Sequence, residues 1–316
     1  MIKIYPGYDP LFQSLFKDLD SYCHCRIIND LLKSRLLYML WSKTHHKKAR
    51  WLLFKHIYYF LAYVRLSIMG TRGSNDIYIF SNIAVRLVPV RILNKIRRNG
   101  NKIVLYFIDS LSNENAREAY RYTKKINFDL LYSFDRRDSE HHQFVYYPTM
   151  YSKLLNTQDQ AIKYDAIFIG NGKGRIKIIS DILRKCVHTK FYIDLTDVDH
   201  YDLAIKDIDI NVRYSYPEVL KKTLASNCIL DIKSDSNQSG LSLRAYEAVV
   251  YNKKYVTNNP SILNFPYYNK KYMLYVDDWE KINEQFFLEE TDVDYHYRND
   301  FSPVNFIKDI ESRLTE

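Results

Sequence analysis

Short apolar runs alternate with longer amphipathic segments along the first half of the chain. The runs rich in β-branched and aromatic side chains, which we predict to be strands, are residues 1–5, 76–81, 102–108 and 129–134. The amphipathic segments predict helices over residues 84–98 and 113–126, and a mostly helical stretch over residues 31–69. Strands that alternate with helices indicate a parallel sheet covered on both faces.

The same alternation restarts after residues 145–163, which contain Pro148 and several polar side chains and which we predict to be an interdomain linker. The strands predicted beyond it are residues 164–169, 190–195, 208–212, 228–232, 254–257 and 272–276. The helices predicted there are residues 176–186, 217–226, 243–251, 279–288 and 301–314. Two successive open α/β sheets predict two domains with a ligand-binding cleft between them.

Composition supports a globular chain of this kind. The 316 residues suffice for two domains, and a hydrophobic content of 47% excludes a disordered chain. Four cysteines are too few for a disulfide scaffold and have the wrong spacing for structural zinc, so we expect ordinary thiols.

Basic side chains are concentrated in one segment. The net charge is +9, and residues 31–75 contain no acidic side chain. The nine basic residues of that stretch are Lys33, Arg35, Lys43, Lys47, Lys48, Arg50, Lys55, Arg65 and Arg72. Because aromatic residues accompany them, segment 31–72 predicts contact with an anionic membrane surface. There are two alternatives. The segment can be a pair of helices with a solvated cationic side, or it can contact nucleic acid.

The best membrane-spanning candidate is residues 51–69, but Lys55, His56 and Arg65 interrupt it and disfavour a simple span. The N-terminus lacks the pattern of a secretory signal. We therefore expect a cytoplasmic protein that is peripheral on the inner face of the cytoplasmic membrane.

Two glycine-containing segments suggest an anion site. The first follows a predicted strand and opens a helix; its candidate residues are Gly170, Gly172, Lys173, Gly174 and Arg175. A tight solvated turn is the alternative, because the pattern is neither a Walker loop nor a dinucleotide fingerprint.

The second segment contributes Gln238, Ser239, Gly240, Leu241, Arg244 and Glu247. Arg244 suits a phosphate, and Glu247 one turn later suits a ribose diol because a carboxylate accepts two hydroxyl hydrogen bonds. A capped helix with an intrahelical ion pair is the alternative.

The run from Ser226 to Asn259, SNCILDIKSDSNQSGLSLRAYEAVVYNKKYVTNN, resembles the donor-binding region of GT-B glycosyltransferases of bacterial lipopolysaccharide and capsule synthesis. YDAIFIGNGKGR is similar to the start of the same C-terminal domain, and DLLYSFDRRDSEHHQFVYYP to the end of the N-terminal domain.

The resemblance implies the α/β GT-B fold, with two Rossmann-like domains facing across a cleft. Residues 1–150 would bind the acceptor, residues 151–300 the nucleotide sugar, and the terminal helix in 301–316 would cross back to the first domain. The implied acceptor is a lipid-linked or surface polysaccharide, such as lipopolysaccharide core, O-antigen or capsule. Glu247 would match the second Glu of the family's E-x7-E motif, whereas Ser239 stands where the first Glu is expected. Retaining and inverting chemistry both remain open.

An inverting transfer needs a base for the acceptor hydroxyl. The candidates, expected at strand ends or loops of the first domain, are Asp9, Asp109, Asp135 and His141, with Asp9 slightly preferred. A turn, a helix cap or a surface charge is the alternative at each.

No metal or other cofactor is expected. Asp197-Val198-Asp199 matches the D-x-D motif of metal-dependent GT-A enzymes, but D-x-D triplets recur in this chain, as at Asp207-Ile208-Asp209 and Asp292-Val293-Asp294. We expect no nucleic-acid partner. The competing functions are those of a non-catalytic GT-B-like protein that binds a glycan or a partner, and of a nucleic-acid-binding protein.

Overall fold

The computed structural model describes residues 1–7, 10–22, 24–28, 75–155, 161–172, 174–198, 209–210, 212, 214–233 and 239–316. These residues form two compact units, Met1–Ser152 with Phe301–Glu316, and Lys153–Asp300. The segment 31–72, with the helices and the membrane-spanning candidate considered there, lies outside the described residues. Asp9, Lys173 and Gln238 lie outside them as well.

The first unit is built on a parallel sheet of six strands in the order β2-β1-β3-β4-β5-β6. Its strands are β1 Ile2–Tyr5, β2 Cys25–Ile27, β3 Ile77–Ser81, β4 Lys102–Phe107, β5 Leu130–Ser133 and β6 Val145–Tyr146. Its helices up to this point are α1 Pro10–Leu15, α2 Asn82–Val85, α3 Val90–Arg98, α4 Glu114–Thr123 and α5 Arg136–His142, with a 3-10 turn at Lys17–Ser21. Apolar side chains of β3, β4, α2 and α3 form the core of this unit.

Two predictions in this unit are wrong. The single helix predicted over residues 84–98 is two helices, because Pro89 has no N–H group and disfavours helical geometry at the residue before it. Val145–Tyr146, which we assigned to the linker, pairs with β5 as an edge strand.

The second unit also has a parallel sheet of six strands, in the order β12-β11-β10-β7-β8-β9. Its strands are β7 Tyr164–Asn171, β8 Phe191–Thr196, β9 Asp209–Ile210, β10 Ser226–Asp231, β11 Lys254–Thr257 and β12 Met273–Tyr275. Its helices are α6 Ile176–Lys185, α7 Tyr216–Leu224, α8 Leu243–Val250 and α9 Gln285–Leu288, with 3-10 turns at Pro260–Asn264 and Trp279–Lys281. The helix predicted over 279–288 is therefore divided into a 3-10 turn and α9.

The terminal helix α10, Pro303–Thr315, packs in the first unit. Tyr132 donates its hydroxyl to Asp309 Oδ2 at 2.7 Å, and the buried ring of Phe306 lies edge-on to the Tyr132 ring. The first unit is thus completed by residues that follow the second unit in the chain.

Each sheet has one point where the strand order reverses. In the first sheet it lies between β1 and β3, and in the second between β7 and β10. Ligands of open α/β sheets bind beyond the carboxyl ends of the strands at such a point. Within the described ranges, every helix is too short or too polar to cross a bilayer.

Candidate functional site

Arg175 bridges the reversal point of the second sheet. Its Nε donates to the carbonyl oxygen of Ile232 at 2.6 Å, and its Nη1 donates to that of Asn171 at 2.8 Å. Ile232 lies just beyond the end of β10, and Asn171 is the last residue of β7. Burial lowers the pKa of Arg175, and the nearby Asp231 carboxylate opposes that effect. A guanidinium remains charged under such conditions and has further N–H donors, which suits an anion.

The glycines before α6 have backbone roles of their own. Gly170 lies inside β7 and not in the predicted loop. A Cβ atom on Gly172 would lie 2.2 Å from Val198 Cγ2, and the Gly172 N–H donates to the carbonyl of Thr196 at 2.8 Å. Gly174 has a φ of 75°, in the left-handed region that favours glycine. The expected cradle of free N–H groups is therefore not formed at Gly172, whose N–H is engaged with the end of β8.

Arg244 and Glu247 lie one turn apart on α8. Ser242 caps this helix and accepts from the Arg244 N–H. The Glu247 carboxylate is fully buried, and both of its oxygens are engaged: Oε2 accepts from Arg244 Nη1 at 2.6 Å and Oε1 from the Tyr216 hydroxyl at 2.7 Å. The intrahelical ion pair considered from the sequence is thus present, and full burial of the Glu247 carboxylate keeps it out of reach of a ribose in this conformation.

Asp231 joins the two arginines electrostatically. It ends β10, and its Oδ2 accepts from the hydroxyls of Ser242 at 2.6 Å and Tyr255 at 2.5 Å. Burial raises the pKa of Tyr255 well above its usual value, so this hydroxyl stays protonated and donates. The Asp231 carboxylate opposes the lowering of the Arg175 pKa by burial, and it adds to the effect of Glu247, which holds the pKa of Arg244 above its usual value against burial. We did not select Asp231 from the sequence, although its place at the end of an apolar strand is the signal that identifies it.

A hydrogen bond from Asn259 stabilises the turn that precedes α8. Asn259 is buried, and its Nδ2 donates to the carbonyl of Gly240 at 3.1 Å. Leu241 is buried beside it, and Ser239 is partly exposed. Of the second group of candidates, Gly240, Leu241, Arg244 and Glu247 are thus held together around the start of one helix.

The three candidate bases described in the first unit differ in environment. Asp135 is fully buried and caps α5, where its Oδ1 accepts from the N–H groups of Arg137 and Asp138 at 3.0 and 3.3 Å. His141 is exposed in the last turn of α5, so its expected position at a strand end or loop is wrong.

Asp109 lies in a partly buried environment beyond the first sheet. It lies two residues beyond β4, it is half-buried, and burial raises its pKa. Its Oδ2 accepts from Asn82 Nδ2 at 2.9 Å. Asn82 was missed in the sequence, because a single asparagine after a strand is also typical of a helix start.

No family model matches the chain, and no curated protein matches it. Solved structures do. T4 phage BGT in complex with its substrate UDP-glucose is 13% identical over 99% of this chain and 97% of that chain, with a TM-score of 0.53. T4 phage BGT with UDP and Mn²⁺ is 13% identical over the same shares, with a TM-score of 0.50. A DNA-modifying β-glucosyltransferase, studied with and without uridine diphosphoglucose, is 11% identical over 99% and 97%, with a TM-score of 0.52. The predicted α/β GT-B fold is confirmed by these similarities, which at this identity show the fold alone.

Proposed function

We propose that the protein is a glycosyltransferase that binds a nucleotide sugar in the second unit and transfers the sugar to a hydroxyl group held by the first. The observation that carries this proposal is the pair of guanidiniums, Arg175 and Arg244, beside the reversal point of the second sheet. The GT-B fold and its solved UDP and UDP-glucose complexes support a nucleotide-sugar donor.

The guanidiniums would neutralise the donor diphosphate and the charge that develops on it as it leaves. Lys173, Gln238 and Ser239 are proposed to add contacts around the same diphosphate. We propose that these groups act without a metal ion. Because one T4 phage BGT structure contains Mn²⁺ with UDP, turnover with Mn²⁺ and with EDTA is the necessary comparison.

Asp109 is the proposed base. In a direct displacement its carboxylate takes the proton of the acceptor hydroxyl while the new bond from that oxygen to the sugar forms. The bond between the sugar and the diphosphate breaks, and the nucleoside diphosphate leaves with the electron pair. A pKa raised by burial makes Asp109 a stronger base than a solvated aspartate.

We propose a lipid-linked or surface-polysaccharide acceptor at the inner face of the cytoplasmic membrane. The supports are the resemblance of residues 226–259 to lipopolysaccharide and capsule enzymes and the basic aromatic segment 31–72. Replacing Lys47, Lys48 and Arg50 by Gln should weaken cosedimentation with phosphatidylglycerol vesicles. Equal binding of this variant and the parent chain would contradict the membrane role.

DNA is the second candidate acceptor, because one similar structure is a DNA-modifying β-glucosyltransferase and segment 31–72 is basic. It predicts binding to duplex DNA that weakens steeply with salt. Absence of any gel shift at low salt would remove this candidate.

Donor binding is tested by thermal shift against UDP, GDP, CDP, ADP, dTDP and CMP. A ligand at a hundred times its Kd stabilises the fold by about 2.7 kcal/mol. One nucleotide should raise the Tm, and Arg244→Gln should lose most of that rise. Arg184→Gln is the matched control, because Arg184 lies on α6 with a side chain that is 76% exposed. No shift with any nucleotide would favour the non-catalytic alternative.

A further inference from the structure

Asn82 connects the ends of two neighbouring strands. It follows β3 directly, begins α2 and is fully buried. Its Oδ1 accepts from the Ile108 N–H at 2.9 Å, and its Nδ2 donates to Asp109 Oδ2 at 2.9 Å. One side chain therefore fixes both the backbone that precedes Asp109 and the carboxylate itself.

Charged groups surround this contact. Arg86 lies four residues after Asn82, and its guanidinium opposes the upward effect of burial on the pKa of Asp109. Glu118 of α4 holds Arg86 through an ion pair of 2.6 Å between Nη2 and Oε2. On the other side of the loop, the Leu111 N–H donates to Asp138 Oδ2 at 2.7 Å.

The Asp109 carboxylate has one oxygen, Oδ1, that the Asn82 amide does not contact. The hydrogen bond from Asn82 goes to Oδ2, and within the described part of the chain Oδ1 receives none that meets normal geometry. We propose that Asn82 is the positioning residue of the reaction: its amide orients Asp109 so that Oδ1 faces the acceptor hydroxyl. This inference rests on the proposed function, in which Asp109 is the base.

Two readouts test it in the full-length chain. The first is the carboxyl titration of Asp109 by ¹³C NMR, assigned through Asp109→Asn, which needs no substrate. The second is the pH dependence of UDP release from UDP-glucose. Asn82→Ala removes the donor that favours the ionised carboxylate, so both midpoints should move to higher pH. Turnover at neutral pH should fall by roughly 10- to 100-fold, as expected for a misplaced catalytic group.

Asn82→Asp is the second variant, because it keeps an acceptor for the Ile108 N–H and places a carboxylate beside Asp109. Like charges should raise the Asp109 midpoint further than the alanine variant does. Asn101→Ala is the control: Asn101 is equally buried at the opposite end of β4, and it bridges the Asp76 N–H and the Ile96 carbonyl at 3.0 Å each. It should lower the Tm without moving either midpoint.

The outcomes separate the two proposals. An unmoved Asp109 midpoint in folded Asn82→Ala or Asn82→Asp overturns the role of Asn82, and so does an equal shift in Asn101→Ala. Full turnover in Asp109→Asn overturns Asp109 as the base, and with it the proposed chemistry, whatever Asn82 does to the titration.

Discussion

Arg244 and Glu247 form an ion pair of 2.6 Å in which the two partners differ in exposure. The Glu247 side chain is fully buried, whereas the Arg244 side chain is 21% exposed. Glu247 also accepts from Tyr216, so each of its carboxylate oxygens has a protein donor. This asymmetry places the guanidinium, and not the carboxylate, where a ligand can reach it.

Two ligands can show whether Glu247 binds the ribose of the donor directly or acts by holding Arg244. If Glu247 acts by holding Arg244, Glu247→Ala should weaken binding of inorganic diphosphate and of the nucleotide identified by thermal shift by similar factors. If it binds ribose, only nucleotide binding should weaken, because diphosphate has no ribose. Calorimetric titration of both ligands measures this, and we expect parallel losses of roughly tenfold.

The two halves of the ion pair should differ in their effect on stability. Arg244→Ala leaves a fully buried carboxylate without its cation, which costs about 3–5 kcal/mol in other proteins. Glu247→Ala leaves a guanidinium that can reach water, so this variant should lose less free energy of unfolding than Arg244→Ala does. Urea unfolding of both variants measures the difference. Equal losses of unfolding free energy in the two variants would contradict the difference in exposure between Arg244 and Glu247.

Arg175→Lys should weaken nucleotide binding even though it keeps the charge. A guanidinium donates to the carbonyls of Ile232 and Asn171 at once, and an ammonium has no planar fork with which to do so. We expect a loss of roughly tenfold, measured by calorimetry, in affinity for the nucleotide identified by thermal shift. Arg184→Lys on the exposed face of α6 is the control and should bind that nucleotide as the parent chain does.

The dependence of the transfer rate on pH should follow the ionisation of Asp109, the proposed base. A base must be deprotonated, and burial raises the pKa of Asp109 above the usual 3.8. The rate should therefore fall as the pH is lowered through that raised pKa, and the acid limb should lie above the range of a solvated aspartate. Steady-state turnover of the donor whose nucleotide the thermal-shift screen identifies, between pH 4 and pH 9, would show the limb. Asp109→Asn should lose both the activity and the acid limb of the pH profile.

Lys253 should make stability depend on alkaline pH. Its ammonium is buried, donates to the carbonyl of Leu224 at 2.7 Å, and has a pKa lowered to about 8. Below pH 8 the lysine is charged in the folded and the unfolded chain, so folding bears the full cost of burying it. Between pH 8 and 10.5 the unfolded chain binds more protons, and stability rises with pH.

Lys253→Met removes this effect. The variant should gain stability relative to the parent chain at pH 7, by up to about 3 kcal/mol, and the gain should shrink towards pH 10. Urea unfolding at each pH measures it. Lys281→Met, at a side chain that is 73% exposed, is the control and should show no such trend.

Ten of the twelve described strands could be predicted from the sequence because each is a short apolar run, whereas β2 was not predicted and β6 was assigned to the linker. Helix α5 could not be predicted, because residues 136–142 are polar throughout and have no apolar face to detect. Its formation depends on Asp135, whose buried carboxylate caps it. The spacing of Arg244 and Glu247 is local in the same way, since three residues along a helix bring two side chains together wherever the helix lies.

The relationships that define the candidate site were decided by the tertiary structure. Asn82 and Asp109 are 27 residues apart and meet because β3 and β4 are neighbours in register. Arg175 reaches Ile232 only because β7 and β10 lie side by side across the reversal point. Parallel pairing joins strands that are distant in the chain, and hydrogen-bond partners across it follow from strand order, which no local pattern of residues contains. The sequence by itself therefore determined most of the strands and the local ion pair, and the fold determined which polar groups face one another at the strand ends.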